Sequence, residues 1–177
     1  MPNVIQSRVN RTLLFHQHRT GFLCKLADEI TRLVKSAERR GMLPAVRLNG
    51  TSDLPWESIK LNGKSLMEHF RDVSFYDYTK NPARAIAHAA GLLPENYHLT
   101  FSRSETNETA TRGILKSGGN VSVVFSGKLP KRWAGHRVID GDKTDLRFLD
   151  PNNVVVGLVA KGPGRKDTTG FVVEGAQ

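Results

Sequence analysis

The chain has 177 residues, 38% of them hydrophobic and 24% charged, and 26 Lys/Arg against 17 Asp/Glu leave a net charge of +9. That length suits one domain and falls short of a complete eightfold βα barrel, which takes about 250 residues, while the apolar content suffices for a core and argues against wholesale disorder. No apolar run reaches the roughly 18 residues that span a bilayer, Met1–Arg11 lacks a secretion-signal stretch, and the lone Cys24 supplies neither a disulfide nor an all-cysteine metal or cluster site, so a soluble cytoplasmic protein is expected.

The basic excess is uneven. Residues 1–41 balance to +5, residues 42–107 to zero and residues 108–177 to +4. A surface of this kind attracts polyanions by counterion release, or simply keeps a solvated protein soluble.

In chain order, a short basic stretch (Arg8, Arg11, His16, His18, Arg19) precedes an amphipathic helix predicted over Phe22–Arg40. Phe22, Leu23, Leu26, Ile30, Leu33, Val34 and Ala37 recur at helical spacing, and Gly41 can stop the helix. A face of this helix is free to pair with a second copy, which makes a homodimer one expectation.

A repeating pattern follows. Strand-like runs at 45–48, 73–76, 97–101, 121–125, 137–139 and 154–160 alternate with helix candidates at 64–71, 82–90 and 105–117 and a further turn at 144–149. The first four runs begin 28, 24 and 24 residues apart. Strand–helix alternation at this spacing predicts βαβ units, a mostly parallel sheet and right-handed crossovers. The expected fold is a single α/β domain over 1–177, with a basic N-terminal segment (1–41) and a βα-repeat core (42–173).

In parallel α/β sheets ligands bind at the carboxyl ends of the strands. Each run here ends in polar residues: Asn49, Ser52 and Asp53; Asp77, Tyr78 and Lys80; Ser102, Arg103 and Glu105; Ser126 and Lys128; Asp140, Asp142 and Lys143; Lys161. Parallel strands gather these clusters on one rim, although post-strand loops are polar in any case and some of these residues act as caps. The expected pocket comprises Asn49, Ser52, Asp53, Asp77, Tyr78, Lys80, Ser102, Arg103, Glu105 and Asp140.

The strings Arg47-Leu-Asn-Gly-Thr-Ser-Asp-Leu-Pro-Trp-Glu57, Phe75-Tyr-Asp-Tyr-Thr-Lys80, Tyr97-His-Leu-Thr-Phe-Ser-Arg-Ser-Glu-Thr-Asn107 and Val138-Ile-Asp-Gly-Asp-Lys-Thr-Asp-Leu-Arg-Phe-Leu-Asp-Pro151 are distinctive. Over residues 43–173 the chain resembles a family of phage- and plasmid-encoded proteins related to "gene product 88". The resemblance implies a partial, open βα barrel of about six strands, akin to the radical S-adenosylmethionine fold. It also implies a mobile-element origin in a bacterial host. Longer relatives carry a cysteine-rich segment ahead of the first helix, so a shortened member that keeps the scaffold and has lost or changed the reaction is expected.

Other constellations are weaker. Asp140 and Asp142 flank a glycine at a strand end and offer two carboxylates to a hard cation such as Mg²⁺, with Asp53 or Asp77 completing a set. No glutamate stands at the twelfth position that a calcium loop requires. Lys161-Gly-Pro-Gly-Arg165-Lys166 can hold a phosphate or be a flexible basic loop, and lacks the nucleotide-hydrolase pattern. Lys128, Lys131 and Arg132 surround Trp133, which stacks a base or half-buries between strands.

The leading expectation is therefore a non-catalytic basic protein that engages nucleic acid or an acidic protein surface such as a host defence complex, with no cofactor. Arg32, Lys35, Arg39, Arg40, Lys128, Lys131, Arg132, Trp133, Lys161, Arg165 and Lys166 supply the contact. The rival is a metal-dependent phosphodiesterase using Asp53, Asp140 and Asp142, with Lys80 or Arg103 stabilising charge; a degenerate radical-S-adenosylmethionine-type enzyme is third.

Overall fold

The structure, a computed structural model, describes residues 2–176. It opens with a helical hairpin, α1 (Pro2–Gln17) and α2 (Arg19–Glu38), broken at His18. The predicted helix is thus present, and the basic stretch ahead of it is helical too. Neither Gly nor Pro interrupts 3–17, and Phe15 anchors the end of α1 by edge-on contacts with Phe22 and Trp56 at 5.5 and 5.9 Å. α2 buries Leu23, Ile30 and Ala37, one stripe at seven-residue spacing.

The core is one sheet. Its strands are β1 (Ala45–Val46), β2 (Ser74–Thr79), β3 (Tyr97–Ser102), β4 (Asn120–Ser126), β5 (Arg132–Trp133), β6 (His136–Asp140), β7 (Val155–Val159) and β8 (Val172–Glu174). The helices between them are α3 (Leu66–His69), α4 (Pro82–Ala89) and α5 (Glu108–Lys116). α5 begins three residues later than the sequence pattern suggests, because Asn107 turns back: its side chain accepts from Ser104 N and donates to Ser102 O.

The sheet order is β1-β2-β3-β4-β7-β6-β5, and it does not close into a barrel. All six predicted runs pair in parallel. β5 is a short antiparallel arm on β6. Two placements lie beyond any reading of local pattern. β7 inserts between β4 and β6, and β8 joins the edge of β4 that β3 leaves after Ser102. Arg103 marks that fork: its backbone bonds to Ser122, while its guanidinium donates to the carbonyls of Gly170 and Phe171 at 2.9 Å and to Glu108 at 3.0 Å.

Side chains alternate across the sheet. Phe75, Tyr97, Leu99, Phe101, Val121, Val123, Phe125 and Val155 share the outer face by register. There they pack in two clusters, one with Phe15, Leu23, Ile30, Trp56 and Met67, the other with Ala85, Ile114 and Leu115. The opposite face is polar over β2, β3 and the start of β4, with Tyr76, Tyr78, His98, Thr100, Ser102 and Ser122, and apolar beyond, with Val124, Ile139, Val156 and Leu158. The segment after β6 arches over it: Phe148 packs against Tyr76 and His98 at 5.7 and 6.0 Å. Among the described residues no helix is long and apolar enough to cross a membrane.

Candidate functional site

The inner face holds a cleft of about 710 Å³. Arg47 follows β1, Tyr78 and Ser102 come from β2 and β3, Ser122 and Val124 from β4, Leu158 from β7, Arg103 and Phe171 from the fork, and Gly141–Asp145 from the arch. Parallel strands therefore do bring several strand ends to one place, but alternation divides the expected pocket between two faces.

Tyr78, Ser102 and Arg103 line the cleft. Asn49, Asp53 and Asp77 do not; they are tied up on the outer side beneath the 49–57 loop. Asp77 accepts from Asn49 N (2.6 Å), Asn49 Nδ2 (3.1 Å) and Tyr97 Oη (2.9 Å). Asn49 Oδ1 accepts from Ser52 Oγ, Leu54 N and Trp56 Nε1. Asp53 accepts from Thr79 Oγ1 and Lys80 N and pairs with Arg84, which also grips both oxygens of Glu57 at 2.7 and 2.9 Å. Burial pushes Asp77 up to about 6, against the pull of its donors. Lys80 and Glu105 are exposed outside the cleft. Asp140 accepts from Asp142 N at the mouth of the arch.

The carboxylates proposed for metal chemistry are committed elsewhere. Asp142 accepts from Val159 N and from Lys161 Nζ (2.7 Å), which hold its carboxyl below the usual range. Asp53 sits with Arg84. Among the described residues no group of three or more His, Cys, Asp or Glu comes together to hold a metal. The iron–sulfur cluster associated with radical S-adenosylmethionine barrels needs several thiolates, and the one cysteine of this chain, Cys24, is exposed on α2, so the residues present do not fit that group.

The predicted basic contacts are scattered. Arg32, Lys35, Arg39 and Arg40 lie exposed on α2 and just beyond it. Lys128, Lys131 and Arg132 precede and open β5, where Trp133 is half-buried edge-on to Phe125 (6.4 Å) with Arg112 over its ring. Arg165 and Lys166 are exposed on the 3₁₀ turn Gly162–Lys166. None of these lines the inner cleft.

Sequence reasoning missed Arg47 as a site residue. Its guanidinium lies over Tyr78, with Cζ 4.8 Å from the ring centroid, and pairs with Asp145 Oδ2 at 2.9 Å. Burial pushes the Tyr78 phenol up to about 12, so it remains a donor. Arg47 also lines two adjoining hollows between the helical hairpin and β1. One includes Arg11, Lys25, Glu29 and Trp56; the other includes Arg8, Arg11, His16, Ser52 and Trp56 and no carboxylate. The signal was present: Val46 and Leu48 alternate with Arg47, so packing both into the core turns Arg47 to the opposite face.

Beneath the arch Arg147 is buried with Asp150, Nε to Oδ2 at 3.3 Å, and donates to Thr144 O. Burial raises Asp150.

No curated protein and no solved structure matches the chain. The model of one protein family, Gene product 88, matches residues 1–175, helical hairpin and sheet together. The chain belongs to the Gene product 88 family.

Proposed function

We propose that this is a mobile-element protein that binds nucleic acid, without catalysis, along a cationic track centred on Arg47. One observation carries the reading: Arg47 belongs to three adjoining hollows, flanked on one side by Lys143, beside Asp142 and Asp145, and on the other by Arg8, Arg11 and Lys25, beside Glu29. Tyr78, Trp56 and Phe171 lie along the same walls. Cations that follow a backbone, interleaved with aromatic rings, suit a single-stranded chain better than a duplex. The exposed cations of α2 and the β5 loop add long-range attraction.

The ties on Asp53, Asp140 and Asp142 weigh against phosphodiester cleavage. The test is fluorescence anisotropy with labelled oligo-dT and oligo-U across a salt series, for the wild type and Arg11→Glu. Affinity falls steeply with salt, and Arg11→Glu weakens binding and flattens the slope by about one to two charges. Absence of binding at low salt, or a salt-independent affinity, overturns the reading.

A second reading, an acidic protein partner, draws on α1. Ile5, Val9 and Leu13 form an exposed stripe at i, i+4, i+8 on a helix that has Arg8 and Arg11 and no acidic residue. An amphipathic helix with acidic flanks complements it, whereas a second copy would set like charges together. Capture of a nuclease-insensitive bacterial partner, lost in Val9→Asp, supports that reading over the first.

A further inference from the structure

We infer that Arg47 and Tyr78 form a seat for one phosphate of a nucleic-acid chain, and that Asp145 fills the seat in the free protein. The inference rests on the nucleic-acid reading above and assigns that binding a defined centre.

The two oxygens of the Asp145 carboxylate are divided between two donors. Arg47 Nη1 reaches Oδ2 at 2.9 Å, and Tyr78 Oη lies 3.5 Å from Oδ1. Two non-bridging oxygens of a phosphodiester present the same acceptor pair, with the same sign of charge. The Tyr78 ring under the guanidinium orients the donor fork, so little side-chain freedom remains to be lost when a phosphate replaces the carboxylate.

Asp145 is built to leave. Its side chain is 59% exposed, and that of Arg47 is 32% exposed. An ion pair so open to water contributes little, and a polyanion with several contacts outweighs it. The tip of the arch, Asp142–Leu146, is exposed throughout, while its two feet are fixed. Gly141 is wedged against Val156 and Leu158, and Arg147 is buried. Asp142 is held by Val159 N and Lys161 Nζ and Thr144 O by Arg147, so the arch stays in place and only the exposed Asp145 side chain has to turn away. Lys143, exposed on the same tip and with no ion pair among the described residues, meets the incoming phosphate once the carboxylate withdraws.

The experiment measures oligo-dT affinity at fixed salt for the wild type, Asp145→Asn, Arg47→Ala and the double variant, with Glu95→Gln as a remote control that removes the same charge. Melting temperatures confirm that each variant is folded. Asp145→Asn is expected to tighten binding about fivefold or more and Glu95→Gln less than about twofold; in the Arg47→Ala background the Asp145→Asn gain disappears, the non-additivity of a direct contact. Binding by Asp145→Asn where the wild type binds too weakly to measure also supports the seat. Equal gains from Asp145→Asn and Glu95→Gln, or a gain that survives Arg47→Ala, overturn it and leave the nucleic-acid reading standing. Absence of binding in both the wild type and Asp145→Asn overturns both.

Discussion

Asn49 grips Asp77 twice, with its backbone amide on one carboxylate oxygen at 2.6 Å and its side-chain amide on the other at 3.1 Å, across 28 residues of sequence. This clamp closes the loop after β1 onto β2 and turns Trp56 inward, its indole nitrogen donating to the same asparagine. Asn49→Ala strands the Leu54 amide, the Leu54 carbonyl and the Trp56 indole, and leaves Asp77 Oδ2 with Tyr97 alone. Each stranded group costs about 1–3 kcal/mol, so a total loss of about 3–5 kcal/mol is expected in urea unfolding. A loss below about 1 kcal/mol would show that the clamp does not hold the loop.

Arg84 ties α4 to that loop. It is 7% exposed, and Glu57, whose side chain is 9% exposed, depends on it for a two-pronged contact. Arg84→Ala leaves a buried carboxylate unpaired and is expected to cost about 3–5 kcal/mol. Arg84→Lys restores the charge without the planar fork and recovers less than half of that loss. A lysine variant as stable as the wild type contradicts the geometry.

The Asp77 carboxyl makes stability pH-dependent. Burial raises it to about 6 from an ordinary value of 3.8, so the folded form takes up the proton first. Its contribution is full below about pH 4 and is lost as pH rises through about 6, up to about 3 kcal/mol at roughly 1.4 kcal/mol per unit. Glu68 acts in the opposite direction. Its hydrogen bond from Lys60, with those from Ser65, holds it at about 2, so its stabilisation is present above about 4.5 and lost as pH falls toward 2. Melting temperature should therefore decline between about pH 4.5 and 6. Asp77→Asn, although less stable throughout, flattens that decline. An unchanged slope in the variant assigns the titration elsewhere.

Two glycines separate close approach from mere tolerance. A Cβ on Gly141 would lie 2.5 Å from Val156 Cγ1 and 3.0 Å from both Arg147 Nη1 and Leu158 Cδ2. Gly141→Ala should cost about 1–3 kcal/mol and displace the arch, altering oligonucleotide affinity as well. Gly21, inside α2 with nothing within 4 Å of a built Cβ, should gain about 0.5–1 kcal/mol on replacement by Ala. Thermal unfolding of the two variants checks both signs, and a neutral Gly141→Ala denies the arch its tight foot.

Much of this architecture is legible in the sequence. Hydrophobic periodicity located α2 and all six parallel strands, because a period of two or of 3.6 is a local consequence of backbone geometry. The quoted strings around Asn49, Asp77, Arg103 and Asp140 identified the family that the match over 1–175 shows. Position along the chain locates the polar strand ends but does not separate the two faces on which they lie. Asp77 and Thr79 share the parity of Phe75, whose side is core, whereas Tyr78 shares that of Tyr76, which faces the arch. Counting parity would have separated the structural network from the cleft.

The fold class, the parallel direction of the strands and the basic character of the two ends follow from local pattern and composition. No local pattern places β7 between β4 and β6, β8 in the gap beside β4, or the arch after β6 over the inner face, where it sets Asp145 on Arg47, 98 residues away. Those choices depend on competition among long-range pairings of similar strands, where strand order and loop closure are settled by the packing of the whole sheet rather than by any stretch of it.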